Sequence, residues 1–488
     1  MSIKLGHELP LDTEYLTLSH RWGGVPPVRL LKDLLVDFMQ SIPFHSLPQT
    51  FRDAVDLTRE LGFRYLWIDA ICIIQDCQED WRLESSLMGD VYAFGRINIA
   101  ATASNDGHGG LFYQETRVSD TPCLIRLQER DENQIFILAG KHDNWRRMIE
   151  TPEDAPLANR GWVLQERALS PQVVHFGRDQ VYWECGTKAD SEFSLLAGTI
   201  PGIPLKMLQS NGGHSDYEES KNRNWIYNNW ITTVEKYSEC QLTESGDKLP
   251  AISGIAQRYR ELLGETPESY LAGLWKGSLP LTLLWGLDSH EKFSACHAER
   301  APSWSWACHD GLIRPLCIVE EQKSQTRVLD SETFHNGDPF GQVTGGYLIL
   351  QGPLFLLKIS ETEVSSSFSD FVPGPISGTS TPSTIRDKDI SWDGLLPRGE
   401  ISRSNCCFLL ITLEDYSATG QRTKISGLVL CATKLSRGQY QRVGVVLNKP
   451  MLKKNIKHLL QLGKRTDMLD PEMYLEADTK FGFKIEIV

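Results

Sequence analysis

Two carboxylates, Asp69 and Glu166, and one histidine, His20, stand inside runs otherwise written for burial. Asp69 interrupts Tyr65-Leu-Trp-Ile-Asp-Ala-Ile-Cys-Ile-Ile74, His20 closes Leu16-Thr-Leu-Ser-His20, and Glu166 sits in Gly161-Trp-Val-Leu-Gln-Glu-Arg-Ala-Leu169. An ionisable group taken out of water costs stability unless it finds a partner, so three such breaches in one segment point to a shared site. Glu166 follows Trp162 by four residues, which puts both on one helix face. A carboxylate beside an indole is partly desolvated, so its pKa rises, and it suits stabilising a developing cation or activating a hydroxyl. Its structural alternative is an ion pair with Arg160 or Arg167.

The companions of these groups fit the same chemistry. Asp69 suits a ligand-hydroxyl acceptor at the carboxyl end of a strand, where open α/β sheets bind ligands, or a partner of Arg21, Arg64 or Arg160. Ser19, His20 and Gly23 lie where the first strand gives way to a turn, and Trp22 and Trp162 offer ring faces for stacking. Gln75 and Gln165 end their elements as amide donors. Each also has a bland reading: a satisfied histidine, core tryptophans, a structural acid. Glu84 shares a helical stripe with Trp81, Met88 and Val91, an unusual place for a carboxylate that a salt bridge would equally explain. No metal-ligand motif is present, and neither is a P-loop or a nucleophile elbow.

The elements that must position these residues alternate between two periods. Leu16–Ser19 reads as a short strand ending at Gly23-Gly24, and Pro48–Leu61 as a helix with Gly62 at its C-cap. Tyr65–Ile74 and Ile97–Ala103 read as strands covered on both faces, with Glu79–Phe94 a helix between them. Val173–Phe176 and Val181–Cys185 read as a hairpin. Alternating strands and helices imply an α/β domain with a mainly parallel sheet over residues 1–195. A Trp-rich middle region, 196–310, is helical from about 220 to 275, and Pro302–Ala307 reads as an aromatic-rich strand or turn. A β-containing region, 311–488, carries a Ser/Thr/Pro-rich insertion at about 360–385 that is expected to be disordered, with the strands either side of it pairing into one unit.

Composition narrows the class. Of 488 residues, 41% are hydrophobic and 23% charged, as in ordinary globular proteins, and the net charge of −13 opposes phosphate-backbone binding. No stretch reaches the length of a membrane span and no signal-peptide h-region is seen. Eleven cysteines lie mostly in apolar runs, Cys72, Cys185 and Cys431 among them, without CxxC spacing. They read as reduced thiols of a cytoplasmic protein.

Taken in order, the blocks Tyr15-Leu-Thr-Leu-Ser-His-Arg-Trp-Gly23, Leu61 to Asp76, Met88-Gly-Asp-Val-Tyr92, Arg160 to Ser170 and Val181-Tyr-Trp-Glu-Cys185 resemble the fungal heterokaryon incompatibility (HET) domain. That family is associated with nonself recognition and programmed cell death and has been proposed as a distant relative of TIR domains, some of which hydrolyse NAD. The resemblance implies a TIR-like, flavodoxin-like sheet, with Glu166 as the catalytic residue and Ser19, His20, Trp22, Gly23, Asp69, Gln75, Trp162 and Gln165 around a nucleotide. It implies NAD as a substrate, with no cofactor required. A non-catalytic oligomerising signalling module, with a protein partner or self-association, and an accessory enzyme of fungal secondary metabolism are the alternative readings.

Overall fold

The computed structural model describes residues 1–488 except 25–27, 114–122, 128–134, 140–154, 179, 187, 193–221, 289–295, 316–318, 320–323, 358–389, 394–405 and 416–421. They form two compact units, one of residues 1–217, 240–243 and 251–255, the other of 218–239, 244–250 and 256–488.

The first unit is built on a six-stranded sheet. Strand β1 (Leu16–Ser19) lies one in from an edge, flanked in parallel by the edge strand β2 (Leu66–Trp67) and by β3 (Ile97–Ala100). Next to β3 come β4 (Gln172–Phe176), parallel, then β5 (Val181–Cys185) and β6 (Ala189–Ser191), both antiparallel. Helices α1 (Gln49–Glu60), α2 (Asp69–Cys72), α3 (Gln78–Phe94) and α4 (Gly161–Leu169) connect or cover these strands. Helix α1 buries Phe51, Ala54 and Thr58, and Gly62, at φ +82°, ends the segment in the left-handed region that favours glycine. Phe51 and Ala54 pack with Leu16, Leu18, Ile68, Ile99 and Phe176 in one apolar cluster. Burying a side chain such as Phe51 stabilises the fold by about 1.5–3 kcal/mol.

Two expected strands are shorter than their apolar runs. Tyr65–Ile74 is strand only at Leu66–Trp67, and Asp69–Cys72 is a helical turn. The run is apolar throughout because this turn is buried as the strand is, with Ala70 and Ile71 inside; a continuous apolar run does not distinguish the two. Gln75 stabilises the turn by donating from its amide to the carbonyls of Asp69 and Ile73, 3.0 Å each. Asp69 therefore stands just past the carboxyl end of β2, not at a strand's centre. Ile97–Ala103 likewise leaves strand geometry after Ala100, where Thr102 N turns back to Ala100 O. A TIR-like fold is thus not established, although the mostly parallel sheet is.

Helix α3 meets the backbone of Gly254 at Gly89, glycine against glycine. A Cβ on Gly89 would lie 2.8 Å from Gly254 Cα, and one on Gly254 2.7 Å from Gly89 Cα. Backbone on both sides cannot yield, so Gly89→Val is expected to destabilise the chain by about 2–3 kcal/mol. Chemical denaturation checks this; an unchanged midpoint would show that the close approach relaxes freely.

In the second unit the helical pattern ends at Leu263, not near 275. Tyr270–Leu271 and Leu274–Trp275 pair antiparallel around Ala272 and Gly273, both at positive φ (44° and 95°), the signature of a primed hairpin turn. Trp230 of the helix Arg223–Ser238 meets Tyr259, Tyr270 and Trp275 edge-to-face. Pro302–Ala307 is a turn leading into the short helix Trp306–Cys308, with Trp304 and Trp306 buried.

Carboxyl-terminal to it lies a nine-stranded sheet in which Leu354–Leu357 pairs with Cys406–Asp415, so the runs either side of the Ser/Thr/Pro-rich stretch do join one β unit. The stretch itself lies outside the described residues. Cys406 faces Cys431 across neighbouring strands and their sulfurs are bonded, which corrects the expectation of a free thiol at Cys431. No helix among the described residues is long and apolar enough to cross a membrane.

Candidate functional site

Strand β1 delivers Ser19 and His20 at its carboxyl end, the turn after β2 delivers Asp69, and α4 delivers Glu166. The four converge with Trp22, Tyr92 and Arg160. Trp22 Nε1 donates to Asp69 Oδ2 at 2.8 Å, and Ala70 N to Asp69 Oδ1 at 2.7 Å. His20 Nδ1 lies 3.5 Å from the same Oδ1, and Arg160 Nη1 donates to the His20 carbonyl at 2.5 Å. Glu166 receives the hydroxyls of Ser19 and Tyr92.

The hydroxyl of Ser19 is oriented from behind. Thr17 Oγ1 donates to Asn98 Oδ1 (3.2 Å) while Asn98 Nδ2 donates to Ser19 Oγ (2.9 Å). Ser19 Oγ also lies 3.2 Å from Asn98 Oδ1, so its hydroxyl has two acceptors within reach, that oxygen and the Glu166 carboxyl.

Electrostatics follow from burial. Ser19, His20 and Glu166 are only 1%, 3% and 5% exposed. Desolvation lifts the Glu166 carboxyl to about 7, helped by the Asp69 charge and opposed by the Ser19 hydroxyl, Arg160 and the Tyr92 hydroxyl. Near neutral pH it is therefore poised between acid and carboxylate. Burial pushes His20 the other way, below its ordinary value, against the pull of Asp69, so its imidazole is neutral at pH 7. Glu84 is also raised, by partial burial and then by Asp80.

These directions predict a pH dependence. Glutamate titrates near 4.5 when unfolded and near 7 here. A raised folded pKa gives stability that is fully present below the unfolded pKa and lost as pH rises through the folded one. Glu166→Gln carries no such proton. Measured by denaturation, its stability relative to wild type should increase by about 2–3 kcal/mol from pH 5 to pH 8. A pH-independent difference would mean that Glu166 titrates normally.

The other expected residues take different places. Gly23 has φ +67° and no room for a Cβ, which would meet Asp106 Cβ at 2.6 Å, so its need for glycine is conformational. Trp22 joins through its indole N–H rather than a free ring face. Gln75 supports the Asp69 turn through backbone carbonyls, and Trp162, partly exposed, lies one helical turn before Glu166. Gln165 does not join the cluster: its Oε1 accepts from Gly254 N at 2.7 Å, beside the close approach of Gly89 and Gly254. One residue along a helix turns the side chain by about 100°, which separates it from Glu166.

Tyr92 and Asn98 were hidden as members of apolar stripes. Their signal is a buried polar atom that must be satisfied.

Behind the cluster lies a second polar network. Arg167 donates to Glu184 through Nε (2.8 Å) and Nη2 (2.9 Å), His175 Nε2 lies 3.3 Å from Glu184 Oε1, and Thr102 Oγ1 meets His175 Nδ1 at 3.0 Å. A cavity of about 40 Å³ borders Ser19, Asn98, Thr102, Arg167 and His175.

Residues 15–166 match the family described as Heterokaryon incompatibility protein (HET), which bears out the resemblance drawn from the sequence blocks. No curated protein and no solved structure shows a significant match.

Proposed function

We propose that the HET domain of residues 15–166, in this heterokaryon incompatibility-type protein, hydrolyses NAD or a related nucleotide in the cytoplasm, and so serves nonself recognition and regulated cell death. The observation that carries this reading is Glu166: a buried carboxyl raised to about 7, held by two hydroxyls at the carboxyl side of parallel strands and close enough to Asp69 to feel its charge. Open α/β sheets gather ligand groups there.

In the proposed reaction the nicotinamide–ribose bond breaks with both electrons going to the pyridinium nitrogen. Glu166, as carboxylate, stabilises the positive charge that develops on the ribose. The oxygen of a water adds to the ribose carbon, and its spare proton passes through Glu166 to solvent. Asp69, fixed by Trp22 and the Ala70 amide, accepts a ribose hydroxyl.

The second reading is a non-catalytic, self-associating signalling module. One observation favours it: the cavity beside Ser19 and Asn98, about 40 Å³, has room for a water, not a nucleotide. Expression in hyphae separates the two. Hydrolysis predicts that cell NAD falls before growth arrests and that Glu166→Gln abolishes both. Arrest by Glu166→Gln at unchanged NAD would establish the module.

A further inference from the structure

In the second unit, Cys296, Cys308 and His309 bring their ligand atoms within 4.8 Å of one another. We propose that this trio binds a zinc ion. Two thiolates and an imidazole are the donor set that zinc favours over calcium or magnesium, which take oxygen. Zinc–sulfur bonds of about 2.3 Å and zinc–nitrogen bonds of about 2.0 Å, set tetrahedrally, space the ligand atoms by about 3.5–3.8 Å. Contraction of roughly 1 Å closes the site.

The surroundings hold the three in place. Cys308 is buried at the end of the short helix Trp306–Cys308, and its Sγ donates to Ser303 O at 3.8 Å. The His309 ring packs against Trp285, centroids 5.7 Å apart. His297 N donates to Cys308 O at 2.7 Å and so ties the Cys296 segment to the helix. Cys296 is exposed, which gives an ion access from solvent. The nearby guanidinium of Arg442 is matched by Asp393 at 3.0 Å, so it does not oppose a cation. On binding, both thiol protons leave to solvent, the ion takes a lone pair from each sulfur and one from the imidazole, and a solvent water fills the fourth tetrahedral position, for a neutral site.

The test uses the full chain, kept reduced, stripped of metal with a chelator and titrated with cobalt(II) and then zinc(II). One equivalent of cobalt should give the thiolate-to-metal charge-transfer band and the intense visible bands of a tetrahedral site, and zinc should erase them. Cys296→Ser, at an exposed position, should keep the fold by circular dichroism and weaken binding on the order of 100-fold or more, the upper range already seen when a group merely supporting a ligand is lost. His309→Ala should do the same. Three results would each overturn the proposal: no charge-transfer band, the same band and affinity in both variants, or Cys296 and Cys308 recovered as a disulfide from the reduced preparation.

Discussion

Glu166→Gln is expected to fold like the wild type and to lose about two to four orders of magnitude in NAD turnover, equivalent to about 3–5 kcal/mol of transition-state stabilisation. The amide keeps the shape of the carboxyl and still accepts from Ser19 and Tyr92, whose hydroxyls hold Glu166 now. What it lacks is charge and a proton to exchange. Turnover measured at pH 8, where Glu166 is ionised, and the denaturation midpoint measured at pH 5 separate the effects, because at pH 5 the folded carboxyl is protonated and the two side chains are nearly isosteric and isoelectric. A variant that unfolds would mark Glu166 as structural; a folded variant with unchanged turnover would remove it from catalysis.

The largest stability effect is expected behind the site. Glu184→Ala should destabilise the first unit by about 3–5 kcal/mol, because Arg167 would keep its charge inside the protein without the carboxylate that it grips through two hydrogen bonds. His175 would lose the same partner. Replacing both Arg167 and Glu184 by apolar residues of similar volume should cost much less, since no uncompensated charge remains. Urea denaturation of Arg167→Met, Glu184→Met and the double carrying both would give the coupling energy. Singles and double that simply add would show that the pair contributes no interaction of its own.

Much of this was legible in the sequence, for physical reasons. His20, Asp69 and Glu166 were visible because a charged or polar group inside an apolar run is costly, and all three do meet in one cluster. The hydrophobic periods placed α1, α3 and the hairpin of β4 and β5 well. The break of Tyr65–Ile74 into a two-residue strand and a buried helical turn was not legible, since both are written with the same apolar letters. Nor was the divergence of Gln165 from Glu166, which depends on helix phase and on Gly254, 89 residues away. The meeting of Cys406 with Cys431, and of Cys296 with Cys308 and His309, depends on strand register and turns that spacing does not encode.

Cleavage of the nicotinamide–ribose bond at the Glu166 site is tested most directly by a proton NMR time course of NAD with the purified full chain, run dilute and again after forced self-association, with Glu166→Gln alongside. The expected result is free nicotinamide and ADP-ribose appearing in equal amounts with the wild type and at a rate at least about a hundredfold lower with Glu166→Gln. Intact NAD with the wild type in both assembly states, or equal rates from the two proteins, would contradict it.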